Sequence, residues 1–509
     1  MLPRALALIA LTALAVVAHA ETSPLTASPS EFVRAQAASG VKWHLWNDAS
    51  LAQAKQQNKS VYVFIGSPLS ELTRATINQT FTSGKTVAWL NENFFCLFVD
   101  ADAQPDVAAL GQHFINSVKQ LRGQPVHLWL TPDTLQPYDG ANYLPPSEEW
   151  GKPGFLKAAR AALDTWTVDP ARARALAAEA LDMMRLPPVD TSAPLDIEAK
   201  LAAATKAWVA AADPVHGGFG SAPKLPEPEL IRFLLTRGDE ARAVAIKAAR
   251  ALVSGALRDP VDGGFYRRCI DEAWKEPYFQ KTLADQARIA LALFDAADAA
   301  KDDKLRAAGI AALDFVLKEL RNPDGTFAAA LDGTLEEHAD PTKRPNFVKV
   351  GAARLAAQAL LLNALHRSGE QRLVAQSRDM AERLHQDIMR PVGTRRLVPG
   401  NMATDYAAMA WLVRVTGASA PANLYLEEVQ QRYFDKTTGT FMATPAQLPY
   451  GIAARVPASG ETPSAEVLAL LAGVDAKTAD LIRRNLMQQI EYDDLPPGDI
   501  LLGLSQGQK

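Results

Sequence analysis

The segment Asp213-Pro214-Val215-His216-Gly217-Gly218-Phe219 recurs almost letter for letter as Asp259-Pro260-Val261-Asp262-Gly263-Gly264-Phe265. Weaker copies follow at Asn322-Pro323-Asp324-Gly325-Thr326-Phe327 and at Phe434-Asp435 leading to Gly439-Thr440-Phe441. These are turn sequences: proline fixes φ, glycine reaches left-handed backbone, and an Asp side chain bonds the backbone just after it. Turns spaced at roughly 45–65 residues, or about twice that, mark an array of similar units, each long enough for a pair of helices. The intervening sequence agrees. From Asp169 onward strand signals almost vanish, and Ala-rich amphipathic patterns run over 170–185, 195–212, 228–236, 240–257, 278–300, 303–320, 345–367, 370–389, 402–415, 421–433, 464–472 and 476–490. Helix pairs punctuated by such turns stack as a solenoid or close into a ring. Six pairs suit a closed α/α toroid, with the turns gathered at one end to line a mouth.

The chain before this array reads differently. Short β-rich runs at 61–65, 94–100 and 126–130 alternate with helical stretches over 49–57, 71–80, 86–91 and 105–120. Turn residues around Pro132 and Gly140 predict a final hairpin, and a helix over 153–166 closes the region. The order β-α-β-α-β-β-α is that of a thioredoxin-like fold. By analogy with that fold, Pro125, just before the third of these strands, takes the place of a cis-proline facing the active loop.

At 509 residues the chain is too long for one core. The expected organisation is a signal peptide over 1–20, a flexible lead-in over 21–40, a thioredoxin-like domain over 41–168 and a helical barrel over 169–509. Arg4, the apolar run 5–17 and Ala18-His19-Ala20 form a secretory processing signal, too short to span a bilayer comfortably. A periplasmic or secreted location is therefore expected, with no membrane span once the signal is removed. The net charge of −4 gives no sign of a nucleic-acid or anionic-membrane partner, and none is expected. Cys96 and Cys269 fall in different expected domains and read as buried, unpaired thiols, and no Cys or His spacing suits a metal. No cofactor is expected.

Two stretches carry a resemblance. One runs from Ile65-Gly66 to Phe81, then Leu90-Asn91-Glu92-Asn93-Phe94, Val99-Asp100 with Pro105, and Leu130-Thr131-Pro132-Asp133. The other is 213–226 with 259–287. Together they resemble the spermatogenesis-associated protein 20 family, and Asp405-Tyr406-Ala407 and Pro463-Ser464 match its later segments. The resemblance implies a thioredoxin-like domain joined to an (α/α)6 barrel of the six-hairpin glycosidase type. It also exposes two departures. Where the family carries Cys-His-Trp-Cys-His, this chain has Ser70-Glu71-Leu72-Thr73-Arg74. Where it carries Pro-His-Phe-Glu-Lys-Met-Leu-Tyr-Asp-Asn-Ala, this chain has Pro277-Tyr278-Phe279-Gln280-Lys281-Thr282-Leu283-Ala284-Asp285-Gln286-Ala287. Dithiol exchange needs a thiolate and a resolving thiol, and hydroxyl groups at Ser70 and Thr73 supply neither. Ser70 is instead expected to cap a helix. A Ser nucleophile would need a base, for which His113 and His127 are the candidates. Tyr278 and Gln280 remove an imidazole and a carboxylate from the barrel motif.

Other residues remain as site candidates. Asp271, Trp274, Tyr278 and Asp285 follow the central turn and are expected at the barrel mouth. Asp332, Glu336, Glu337 and His338 follow the next turn, and Asp405 opens a later helix. Aromatic faces flanked by carboxylates make a carbohydrate site, and Asp271 with Asp332 is one pair for glycoside hydrolysis. The short basic spots Arg267-Arg268 and Lys343-Arg344 are too small for nucleic acid. Two functions follow. The first is a binding or docking protein without redox activity, its barrel a degenerate cup for a carbohydrate or protein partner. The second is an exported carbohydrate-active enzyme, of glycosidase or epimerase type, using barrel carboxylates.

Overall fold

The computed structural model describes residues 23–192, 194–333, 337, 343–388, 403–417, 422–442, 475–491 and 493–506. The processing signal, Glu336, His338, Pro463-Ser464 and the helix predicted over 464–472 lie outside these residues.

A five-stranded sheet of order β1-β3-β2-β4-β5 forms the first domain. Its strands are β1 Trp43–Leu45, β2 Val61–Gly66, β3 Phe95–Asp100, β4 Val126–Leu130 and β5 Pro137–Ala141. β1 and β2 run parallel to β3, and β4 runs antiparallel to β2 and β5. Alternation of side chains along each strand gives the sheet two dry faces. Val61, Val63, Ile65, Leu97, Val99 and Leu128 build an aliphatic face, while Tyr62, Phe64, Phe98 and Trp129 build an aromatic one. Helix α5 (Pro105–Lys119) covers the first face with Val107, Leu110, Phe114 and Ile115, and α6 (Phe155–Val168) covers the second with Phe155, Ala159 and Ala162. This is the expected thioredoxin-like fold, and the Gln124–Pro125 peptide is cis as its position suggests. β1 carries no sequence signal beyond Trp43.

Two expected boundaries need correction. Residues 24–38 are not a flexible lead-in. They form helical turns, including α1 (Glu31–Ala35), with Leu25 and Val33 buried in the aromatic core and Ser30 Oγ donating to Asp100 at 2.5 Å. Their Ser- and Ala-rich composition hides the apolar residues that anchor them. Helix α7 (Pro170–Met183), which the sequence assigns to the barrel, packs on the first domain instead. Ala173 and Ala177 join the aromatic core, and Ala180 and Met184 the aliphatic one, because small side chains let it lie flush against the sheet edge.

The second region is a ring of helix pairs. Helices α9 (Pro228–Leu235), α11 (Leu283–Ala300), α13 (Leu355–Arg367), α15 (Ala403–Thr416) and α18 (Gly498–Gln506) form its inner layer among the described residues. α9 packs on α11, α11 on α13 and α13 on α15, and α18 packs on α9. Helices α8 (Ile197–Ala210), α10 (Asp239–Ser254), α12 (Asp303–Phe315), α14 (Gln371–Ile388), α16 (Ala422–Arg432) and α17 (Ala476–Gln489) lie outside. This is the expected (α/α)6 toroid. α18 has no counterpart among the predicted helices. Closure demands close approach: a Cβ on Gly498 would lie 2.5 Å from the backbone nitrogen of Leu230. The sequence also missed a three-stranded sheet, β6 (Gln280–Thr282), β7 (Ala328–Asp332) and β8 (Val348–Ala352), set between the helices with Gln280 opposite Asp332.

The repeated turns explain how β6 is held. Asp213 accepts from the amides of Val215 and His216, both at 2.8 Å, and grips the fully buried Lys224. Asp259 repeats this with the amide of Val261 and with Lys281 at 2.6 Å. Asp262, which stands where the first copy has His216, adds a second carboxylate to Lys281 at 2.7 Å, and Arg344 bridges both acids. Burial alone would raise the Asp259 carboxyl, but hydrogen bonds from Lys281 and Arg344 outweigh it and bring it down to about 2. Its contribution to stability is therefore complete above the ordinary carboxylate range and is lost as pH falls through about 2.

Two stability measurements test this architecture. Lys281→Met strips the buried carboxylates of their main counter-charge, so chemical denaturation at pH 7 should show a loss of about 3–5 kcal/mol. Gly498→Ala should cost about 1–3 kcal/mol by overpacking the point of ring closure, with amide exchange speeding up first in α9 and α18.

Candidate functional site between the two domains

The loop after β2 and the loop before β4 meet the barrel across a cavity of about 700 Å3. Ser67, Leu69, Ser70, Glu71 and Gln124 line its first-domain wall, and Arg267, Arg268, Tyr278, Gln280, Arg354 and Thr404 line the barrel wall. A smaller annex of about 100 Å3 shares Leu69, Asp102, Arg267 and Arg354 and adds Asp285 and Arg288.

Ser70 takes the capping role expected of it. Its Oγ accepts from the Thr73 amide at 3.2 Å and opens the short helix α3 (Glu71–Ala75). Thr73 is fully buried beneath Gly66 and does not reach the cavity. Of the imidazoles considered as bases, His113 bonds the Met184 carbonyl and His127 bonds the Tyr62 hydroxyl at 2.7 Å. Neither lines the cavity, and burial pushes His127 down to about 3. Cys96 and Cys269 are both free and buried, with burial pushing each thiol up to about 12.

The two departures from the family pattern face each other. Tyr278, at the family's His position, donates from its hydroxyl to Glu71 at 3.3 Å. Gln280, at the family's Glu position, donates to the Leu69 carbonyl at 3.0 Å and to Asp332 at 2.8 Å. Arg74 closes the group by donating to the same Asp332 oxygen at 2.8 Å. The two altered stretches, separate in the sequence, line one cavity between the domains. Burial, with Glu71 and Asp332 adding to it, pushes the Tyr278 phenol up to about 12, so it remains a hydrogen-bond donor at neutral pH.

The expected mouth residues scatter. Only Tyr278 lines the cavity, and Asp285 lines the annex while paired with the Thr282 hydroxyl at 2.7 Å. Asp271 folds back on its own loop, accepting from the amides of Ala273, Lys275 and Glu276. Burial would raise its carboxyl, but these amides hold it below the usual range. Trp274 is core: it is buried, its indole donates to the Gly217 carbonyl at 3.0 Å, and Lys224 sits over its ring. Asp332 is buried as the receptor for Arg74 and Gln280. Asp405 is buried in α15 beside the cavity-lining Thr404, and Glu337 accepts from the Asn346 amide. The Asp213 and Asp259 turns do not line the cavity; they clamp lysines behind it. Among the described residues its carboxylates are Glu71 and Asp102, both from the first domain.

Sequence reasoning missed Arg74, Gln124, Arg268, Arg354 and Thr404. The doublet Arg267-Arg268 was visible as a basic spot, and its place between the Asp259 turn and Tyr278 was the available signal. Arg354 has none, because only the fold of β8 into α13 delivers it.

Residues 22–185 match the family described as Thioredox_DsbH, protein of unknown function DUF255. Spermatogenesis-associated protein 20 of Mus musculus is 26% identical over 316 residues, covering 60% of this chain and 40% of the relative. The Homo sapiens protein is 26% identical over 336 residues, covering 64% and 42%. The chain thus spans about two fifths of the length of these curated relatives. Among solved structures, cellobiose 2-epimerase from Spirochaeta thermophila is similar at 15% identity and a TM-score of 0.45, over 62% of this chain and 98% of that one. Residues 22–185 thus carry a thioredoxin-like domain that matches this family, and the chain is similar to spermatogenesis-associated protein 20, with Ser70 and Thr73 where that resemblance implies paired cysteines.

Proposed function

We propose that the protein binds a small polyhydroxylated ligand in the interdomain cavity and performs no dithiol exchange there. The observation that carries this reading is that the altered thioredoxin loop and the altered barrel motif line one cavity. Its walls offer hydroxyls from Ser67, Ser70 and Thr404 and amides from Gln112, Gln124 and Gln280, with Tyr278 as an apolar face edged by a phenol. Such convergence of polar groups in a concave site suits a sugar-like molecule. A binding role fits the chemistry better than hydrolysis. Asp271 and Asp332, the pair considered for glycoside cleavage, are spent on backbone amides and on Arg74 with Gln280. The processing signal over 1–20 supports a periplasmic or secreted location.

Three measurements address this reading. Ser70→Cys places a thiol on the cavity wall, so a small alkylating reagent should label it in the native protein while Cys96 and Cys269 stay unmodified; a bound sugar should slow the labelling. Labelling of the two natural thiols at the same rate would contradict the burial on which the reading depends. With dithiothreitol as the electron source, the unmodified protein should not accelerate insulin-disulfide reduction over the reagent alone, and a clear acceleration by the protein would overturn the proposal. Export should yield a protein beginning at Glu21, and an intact mass retaining residues 1–20 would refute the processing.

A further inference from the structure

The cavity is asymmetric in charge. Its two carboxylates, Glu71 and Asp102, come from the first domain, whereas Arg267, Arg268 and Arg354 come from the barrel. The acids are engaged: Glu71 accepts from Tyr278, and Asp102 accepts from Ser67 Oγ at 2.6 Å. Arg267 donates to the Gln280 side chain at 2.9 Å. Arg268 and Arg354 differ from these. Arg268 lies half-buried with its guanidinium 4.1 Å from the centre of the Tyr278 ring, and its Nε is sealed from solvent without a hydrogen-bond partner. Arg354 is half-buried between cavity and annex, and among the described residues neither it nor Arg268 forms an ion pair.

Several half-buried arginines elsewhere in the toroid are neutralised: Arg232 pairs with Asp295, Arg306 with Asp298 and Arg484 with Asp480. A guanidinium drawn partly out of water without a counter-ion is costly, and two such groups opening on one cavity concentrate that cost where a ligand can relieve it. A guanidinium is a planar fork that matches the oxygens of a carboxylate or a phosphate.

Resting on the reading of this cavity as the ligand site, we infer that its ligand is an anionic sugar derivative, whose carboxylate or phosphate docks on Arg268 and Arg354. Its hydroxyl-bearing body then points to Ser67, Ser70, Glu71 and Gln124, since the opposite orientation sets the anion against Glu71 and Asp102. The barrel wall supplies the charge recognition and the degenerate thioredoxin loop supplies the hydroxyl recognition.

Calorimetric titration of the full chain with glucose, glucuronate and glucose 6-phosphate tests this. At least one charged sugar should bind about tenfold or more tightly than glucose, the gain expected of one charge-assisted contact. Which of the two gains more identifies the anion as carboxylate or phosphate. Added salt should erode the gain, and Arg268→Gln and Arg354→Gln should each collapse the ratio without lowering the melting temperature. Equal affinity for glucose and both anions, or a charge preference that survives both replacements, overturns the anion assignment and leaves a neutral sugar site standing. Failure of all three sugars to bind at millimolar concentration overturns the cavity reading together with it.

Discussion

A buried lysine holds the centre of this molecule. Lys281 is fully enclosed, and its ammonium is compensated by Asp259 and Asp262, which Arg344 ties together from the other side. Removing a cation from water is tolerable only with such compensation, so the turn, the strand β6 and Arg344 are fixed as a unit. Everything at the cavity follows from where β6 lies. Gln280 is the residue before Lys281, and the register of β6 with β7 sets it beside Asp332. Asp332 in turn receives Arg74 from the other domain. A run of charge compensation thus leads from the most repeated sequence feature to the domain interface.

The interface gives the altered motifs a shared logic. Arg74 stands where the family has a His, and it meets an aspartate held by Gln280, which itself stands where the family has a Glu. Glu71 replaces a His and receives the hydroxyl of Tyr278, which replaces another. The exchanged residues therefore form mutual hydrogen bonds across the domains. Together they form one polar cluster across the interface.

The first domain supplies rigidity to its side of the cavity. Its sheet is dry on both faces, with an aromatic cluster around Trp43, Phe64, Phe81 and Phe98 on one of them. β2 ends at Gly66 and α3 begins at Glu71, so the loop bearing Ser67 to Glu71 is anchored at both ends. The lead-in segment and α7 extend the same core, one through Leu25 and Val33 and the other through its alanines.

Periodicity, turn chemistry and composition determined much from the sequence alone. They gave the alternating strands of the first domain, the helix pairs of the second, the cap at Ser70 and the burial of both cysteines. These are local properties: a run such as Val61 to Ile65 signals a strand by its own side chains, and a serine before Glu71 signals a cap by its own hydroxyl. The site itself was decided by tertiary structure. Asp271 and Tyr278 look alike as candidates in the sequence, yet one bonds its own loop and the other faces the cavity, because a side chain's direction depends on backbone path and not on residue type. Arg354 became a site residue only because the turn from β8 into α13 carries it there. Contacts such as Arg74 with Asp332 join residues far apart in the chain, and no pattern within either segment encodes that meeting; the packing of the two domains does.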